Sequence, residues 1–350
     1  MTSPKPLLAV TMGDAAGIGP EVIVKAWQDR QVHACCRPVV LGHPEVLRQA
    51  VRLVGAESRV TEVNSRDAAG FTPTPEAIPC VRCGADDLLS VPPGSIDART
   101  GQAAYQAVMG AVQGTLQGPF DALVTCPLSK AALHAAGHHY PGHTELLAEC
   151  CRVEDFAMML YLPAAEVPAC RHGLGVVHVT LHVAMRDIFS QLTAAAIQAK
   201  CHLAQRTMQA GFGLEAPRIG VCALNPHAGE EGLFGDEEGR IIAPAVRAVR
   251  RQGILVTGPE PADTLLVRAR AGEFDAVVAM YHDQGHIALK LLGMHRAVNV
   301  TLGLPIIRTS VAHGTAFDRA WQGTAEASGL VAAIRVAAEL AGRRRTGSCP

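Results

Sequence analysis

Short apolar, β-branched runs alternate with longer Ala-rich segments along the whole chain. Leu7–Met12, Pro38–Leu41, Ala122–Thr125, Val176–Leu181, Ile219–Leu224, Ala276–Met280 and Val298–Thr301 read as strands. Gly19–Asp29, Pro44–Val54, Thr100–Gln117, Thr193–Ala210, Ile241–Gln252 and Gly329–Ala341 read as helices. Thr193 suits the N-cap of its helix, where a hydroxyl accepts from a first-turn N–H. This alternation predicts an α/β protein with a largely parallel sheet. Val91-Pro92-Pro93-Gly94 and the turn at Gly229–Gly235 read as loops. The length suggests roughly two domains. No repeat or linker separates them, so a shared sheet with a cleft is expected rather than beads on a string.

Three of the strand-like runs deliver a histidine at their exit. Ala276–Ala279 leads into Met280-Tyr281-His282-Asp283-Gln284-Gly285-His286, Val176–Leu181 into His182, and Ile219–Leu224 into Asn225-Pro226-His227. Open α/β sheets bind ligands beyond the carboxyl ends of their strands. Three imidazoles are enough for a metal site that leaves positions open for substrate. Zinc suits such a set best, with manganese, cobalt and magnesium as other candidates. The pairs His178/His182 and His282/His286 have i,i+4 spacing, yet no helix is expected at either. Val176–Leu181 is β-branched, and Gly285 interrupts the second pair. His178 then reads as a core residue, while His182 and His282 are the better ligand candidates.

Composition narrows the classes. Hydrophobic residues at 49% with 18% charged residues are globular, and the 4% aromatic content leaves Ala, Val and Leu to fill the cores. A net charge of −1 with interspersed signs gives no nucleic-acid or membrane-surface partner, although local cations would still suit phosphorylated metabolites. The first apolar run is too short for a secretory signal, and no segment approaches the ~18 apolar residues of a membrane span. A cytoplasmic location is expected. The eleven cysteines are scattered, and Cys80/Cys83 is a lone C-x-x-C, so they read as reduced thiols rather than a zinc ribbon.

Further motifs each carry a functional and a plain reading. Gly13-Asp14-Ala15-Ala16-Gly17-Ile18-Gly19-Pro20-Glu21 follows the first strand and opens a helix; its glycines admit a ligand's close approach or simply make a tight turn. Its spacing is not the dinucleotide fingerprint. Tyr140-Pro141-Gly142-His143-Thr144-Glu145 offers an anion an imidazole, a hydroxyl and first-turn N–H groups, or is an ordinary helix start capped by Thr144. Lys290, Asn299 and Arg308 could hold a phosphate or carboxylate, or be surface residues. His313-Gly314-Thr315-Ala316-Phe317-Asp318 is a further polar glycine loop.

Taken in order, these motifs resemble the 4-hydroxythreonine-4-phosphate dehydrogenase family over almost the whole chain: GDAAGIGPE at 13–21, PGHTE at 141–145, LNPHAGE at 224–230, YHDQGH at 281–286 and NVTLGLPIIRTSVAHGTAFD at 299–318. The resemblance implies a fold like that of isocitrate and isopropylmalate dehydrogenases, with two α/β domains and a cleft. Residues 1–125 plus 291–350 would form one domain with the cofactor loop, and 126–290 the other with the metal site and dimer interface. It implies a homodimer with the active site at the subunit interface, metal ligands His182, His227 and His282, and substrate-binding residues His143, Thr144, Lys290, Asn299 and Arg308. NAD or NADP would lie on Asp14 and Gly17 and on the loop of His313, Gly314 and Asp318. The implied reaction is oxidation of a C3 hydroxyl on a 4-phosphorylated four-carbon acid, followed by decarboxylation. Lys130 and Asp263 are candidate bases.

Three departures stand out: Ala312 replaces an aspartate usual before His-Gly-Thr, Ala15 replaces a proline, and a proline expected at Ile287 or Ala288 is missing. The stretches HHYPGHTELLA, EEGLFGDEE and HDQGHIALKLLG are more similar to the family's D-threonate 4-phosphate dehydrogenase branch than to its pyridoxal-phosphate-pathway enzymes. A metal-dependent phosphosugar aldolase or hydrolase, and a non-catalytic phosphometabolite-binding homologue, are the alternatives.

Overall fold

The computed structural model describes residues 4–65 and 67–346; Met1–Ser3, Arg66 and 347–350 lie outside the described residues. Twelve strands follow in chain order: β1 Leu7–Thr11, β2 Arg37–Gly42, β3 Arg59–Glu62, β4 Ala77–Arg82, β5 Ala122–Thr125, β6 Ala157–Leu162, β7 Leu174–His178, β8 Ile219–Cys222, β9 Val256–Glu260, β10 Ala276–Ala279, β11 Val298–Leu302 and β12 Ile307–Val311. The chain divides into two compact α/β units. One holds the residues up to Glu154 together with Leu304–Gly342, and the other runs from Asp155 to Gly303 with the residues from Arg343. These bounds differ from the expected 125 and 290. The helix Lys130–Ala135 packs on Ala98–Leu116 and so joins the first unit, while β11 pairs with β6 and so joins the second.

In the first unit the strand order is β3-β4-β2-β1-β5-β12, and every pairing is parallel. In the second it is β11-β6-β7-β10-β8-β9, with β7, β10, β8 and β9 parallel and β6 antiparallel to both β11 and β7. Strands β1, β5, β7, β8 and β10 are buried along their whole length. Parallel strands covered on both faces read as unbroken apolar runs, which is why these five were visible in the sequence. Their positions set the site. β7, β10 and β8 are adjacent and parallel, so their carboxyl ends share one edge of the second unit. The carboxyl ends of β1, β5 and β12 do the same in the first.

Thr193 accepts from Ala196 N–H as expected of an N-cap, and Pro20 sits in the first turn of Gly19–Trp27. One expectation fails. His282–Gly293 is a continuous helix with Gly285 inside it. Gly285 is there for packing: a Cβ would stand 2.5 Å from both His178 Nε2 and Val176 Cγ1 on β7. The ten described cysteines are free thiols. No helix among the described residues is long and apolar enough to cross a membrane.

Candidate functional site

In the second unit the three expected ligands follow β7, β10 and β8 in the chain, strands that are adjacent and parallel. His282 is the first residue of its helix, with the half-buried Tyr281 in extended backbone before it. Asp283 Oδ1 accepts from His282 Nδ1 at 2.6 Å, an arrangement that leaves Nε2 with its lone pair for a ligand. The His182 and His282 ring centroids are 5.8 Å apart. His286 lies flat on His282, with centroids 3.8 Å apart and planes 11° apart. His286 Nδ1 and the buried His178 Nε2 share a hydrogen bond of 3.1 Å. Burial, then the charge of His286, pushes His178 down to about 3, and burial, then His282 and Lys290, pushes His286 to about 4, so both rings are neutral.

His227 is presented differently. Residues His227, Ala228, Gly229, Glu230 and Glu231 all have positive φ, between 41° and 79°, forming one left-handed turn. Left-handed backbone costs roughly 1–2 kcal/mol for each non-glycine residue, so tertiary contacts must hold this turn. Glu230 Oε2 accepts from His227 Nδ1 at 3.2 Å, again leaving Nε2 outward. Among the described residues no three His, Cys, Asp or Glu side chains gather closely enough to hold a metal ion. The donor chemistry nevertheless fits one, because two of the three imidazoles carry the carboxylate partner that orients histidine ligands. The remaining second-unit candidates are Lys290, late in the His282–Gly293 helix, the half-buried Asn299 on β11, and the exposed Asp263, which caps its neighbour Thr264 N.

The first unit holds the other candidates. Arg308 on β12 is buried and donates to Thr125 Oγ1 of β5 at 2.7 Å; burial lowers its guanidinium to about 10, partly offset by Glu145. His143 opens the helix His143–Cys151, whose N-cap is Gly142, so Thr144 lies in the first turn rather than at the cap. Burial, then the charges of Arg308 and Lys130, hold the His143 ring well below the usual histidine range. Arg308, His143 and Lys130 therefore stand together, and a neutral imidazole among cations offers hydrogen bonds to an anion without adding charge. Lys130 is the exposed first residue of its helix, whose N-cap is Ser129, its hydroxyl accepting from Ala132 N–H.

The two expected cofactor segments are also brought together. Ile18 N–H donates to Thr315 O at 3.1 Å, Trp321 Nε1 to Ala15 O at 2.9 Å, and Trp321 N–H to Glu21 Oε1. His313, Gly314 and Asp318 are exposed on this clasp, and Gly17 is buried against Thr315. Asp14 is fully buried. Its Oδ1 accepts from Ala16 N–H at 2.9 Å; burial is the largest influence and raises its carboxyl to about 6. Asp14 thus braces the loop from inside. Gly13, at φ +71°, has no room for a side chain, since a Cβ would lie 2.1 Å from Pro127 O. Sequence reasoning missed Thr125 and Glu238, and it named His286 and Gln284 within the 280–286 run without giving either a role. Only the i,i+4 spacing of His282 and His286 signalled any of them.

Comparison with known proteins agrees along the whole chain. Residues 34–337 match the family model described as pyridoxal phosphate biosynthetic protein PdxA. A D-threonate 4-phosphate dehydrogenase of Cupriavidus necator is 46% identical over 341 residues, 97% of this chain and 98% of that protein. A 4-hydroxythreonine-4-phosphate dehydrogenase of Desulforapulum autotrophicum is 43% identical over 339 residues, 97% of this chain and 96% of that one. The crystal structure of 4-hydroxythreonine-4-phosphate dehydrogenase from Klebsiella pneumoniae superposes with a TM-score of 0.85 at 42% identity, covering 96% of this chain and 99% of that one.

Proposed function

The chain belongs to the PdxA family, whose members are dehydrogenases, and from that premise we propose that it oxidises the C3 hydroxyl of a 4-phosphorylated four-carbon acid with NAD or NADP, the product then losing carbon dioxide. Of the two substrate types in the family we assign it the sugar acid, D-threonate or D-erythronate 4-phosphate, rather than 4-phosphohydroxy-L-threonine. What supports the reading is that β7, β10 and β8, the strands that His182, His282 and His227 follow, are adjacent and parallel. These three would hold a divalent cation, zinc by preference. When bound, the cation supplies a Lewis acid at the C3 oxygen and the nicotinamide supplies the hydride acceptor.

The chain's own residues do the rest. Arg308, Lys290 and Asn299, with His143 and Thr144, bind and orient the phosphate and carboxylate. Lys130 takes the C3 hydroxyl proton; it stands close enough to His143 for its charge to bear on that ring, and Asp263 is the alternative. The clasp of 13–21 against 313–321 carries the cofactor, with Ala312 leaving it one carboxylate short. A homodimer with the site at its interface is supported by exposed apolar side chains beside each histidine: Met185 and Phe189 after His182, Leu233 (72% exposed) and Phe234 after His227, and Ile287, Leu291 (82%) and Met294 after His282.

The test is chelation. Protein stripped of metal should lose NAD(P)-dependent oxidation of D-threonate 4-phosphate and recover it with zinc, manganese or cobalt. Full activity in metal-free protein would defeat the proposed site.

A further inference from the structure

The three residues that follow β8 leave the strand ladder and are taken over by side chains. Ala223 N–H still reaches Glu260 O on β9, at 2.7 Å. Its carbonyl instead accepts from Gln284 Nε2 at 2.7 Å. Leu224 N–H and Asn225 N–H both donate to Glu238 Oε1, at 2.8 and 2.7 Å. The Asn225 side chain completes the set, its Nδ2 donating to Glu237 Oε2 at 2.7 Å and Glu238 Oε2 at 3.0 Å. Glu238 is buried, so these bonds are made away from water.

Gln284 also works at a second place. Its Oε1 accepts from Met280 N–H at 2.7 Å, two residues before His282. One amide therefore joins the exit of β8 to the exit of β10, and its two ends are not interchangeable. The end facing Ala223 must donate and the end facing Met280 must accept. The left-handed turn carrying His227 begins directly after the clamped stretch, and its positive-φ backbone is costly enough to need holding from outside.

We propose that Glu238 and Gln284 are positioning residues, a side-chain clamp on 223–225 that fixes the His227 turn against the His282 helix and so sets the geometry of both imidazoles. This rests on the reading of His182, His227 and His282 as metal ligands. It adds that the metal's affinity and coordination geometry are controlled from two residues that touch neither metal nor substrate.

The experiment compares full-length wild type, His227→Ala, Glu238→Gln and Gln284→Glu. Zinc affinity is measured by chelator competition, the cobalt(II)-loaded protein by its visible spectrum, and folding by circular dichroism at the same temperature. Gln284→Glu keeps the shape but sets a carboxylate oxygen against the Ala223 carbonyl. Expected is a loss of roughly 10–100-fold in zinc affinity, with an altered cobalt spectrum, in folded Gln284→Glu and Glu238→Gln protein. Should Glu238→Gln fail to fold, Gln284→Glu alone decides. Loss of affinity in His227→Ala with unchanged affinity and spectrum in the clamp variants overturns the clamp and leaves the ligand reading standing. Wild-type affinity in His227→Ala overturns the ligand reading and the clamp with it.

Discussion

The exits of β10 and β8 perform the same task by opposite means. At β10 the chain passes straight into a helix, and His282 is held by that helix's own backbone bonds, by Asp283 and by the flat contact with His286. At β8 it enters a left-handed turn, and the groups behind His227 are satisfied by Glu238 and Gln284 from elsewhere in the chain. The first arrangement is locally self-sufficient, and the second depends on distant side chains. A histidine can therefore be presented with equal definition from regular or from strained backbone, provided the strained case is braced. The β1 exit in the first unit is braced locally, with the buried Asp14 receiving the N–H of Ala16 two residues on.

Removing a presented imidazole should matter most. His227→Ala should lower metal-dependent turnover by roughly 10³-fold or more, measured as NAD(P)H formation, while circular dichroism stays native. Next comes the brace at β1. Because the Asp14 carboxyl is raised from 3.8 to about 6, the folded state holds its proton more tightly than the unfolded chain. Stability from this group is greatest below about pH 4 and falls as pH rises towards 6. Asp14→Asn should remove that slope and stabilise the protein at pH 7 by up to about 3 kcal/mol relative to its effect at pH 4; melting at both values checks this.

The β10 helix gives a test of sign. Alanine is the better helix former by about 1 kcal/mol, yet Gly285→Ala should lower the melting temperature, because the added Cβ meets His178 and Val176 and overpacking costs roughly 1–3 kcal/mol. A rise would show that the helix can shift away from β7. The smallest effect is expected of His286→Phe, which keeps a flat ring on His282 but loses the bond to His178. Zinc affinity, read by chelator competition, should fall by about tenfold or less.

These contrasts also mark what could be read from the chain. The buried parallel strands were legible because runs such as Ala276–Ala279 are unbroken apolar stretches. β3, Arg59–Glu62, and β9, Val256–Glu260, were not, since short runs holding Arg, Glu, Gly or Pro lack that signature. The three histidines could be found as strand exits without knowing strand order; that β7, β10 and β8 are neighbours could not. Gly285 misled because a helix-breaking preference was weighed without the packing that requires it. The left-handed turn was hidden for a related reason: His, Ala and Glu give no local hint of positive φ, and Glu238 and Gln284 lie 13 or more residues from the groups they bond just before it. Asp14 was legible as a loop residue, but its burial was not.

The decisive assay incubates the protein with divalent metal, NAD or NADP, and D-threonate 4-phosphate, following absorbance at 340 nm and carbon dioxide together, with 4-phosphohydroxy-L-threonine in parallel. Expected are nicotinamide reduction with one carbon dioxide released per hydride transferred, and a higher kcat/KM for the sugar acid. Substrate consumed without nicotinamide reduction, or no reaction with either acid and either cofactor, would contradict it.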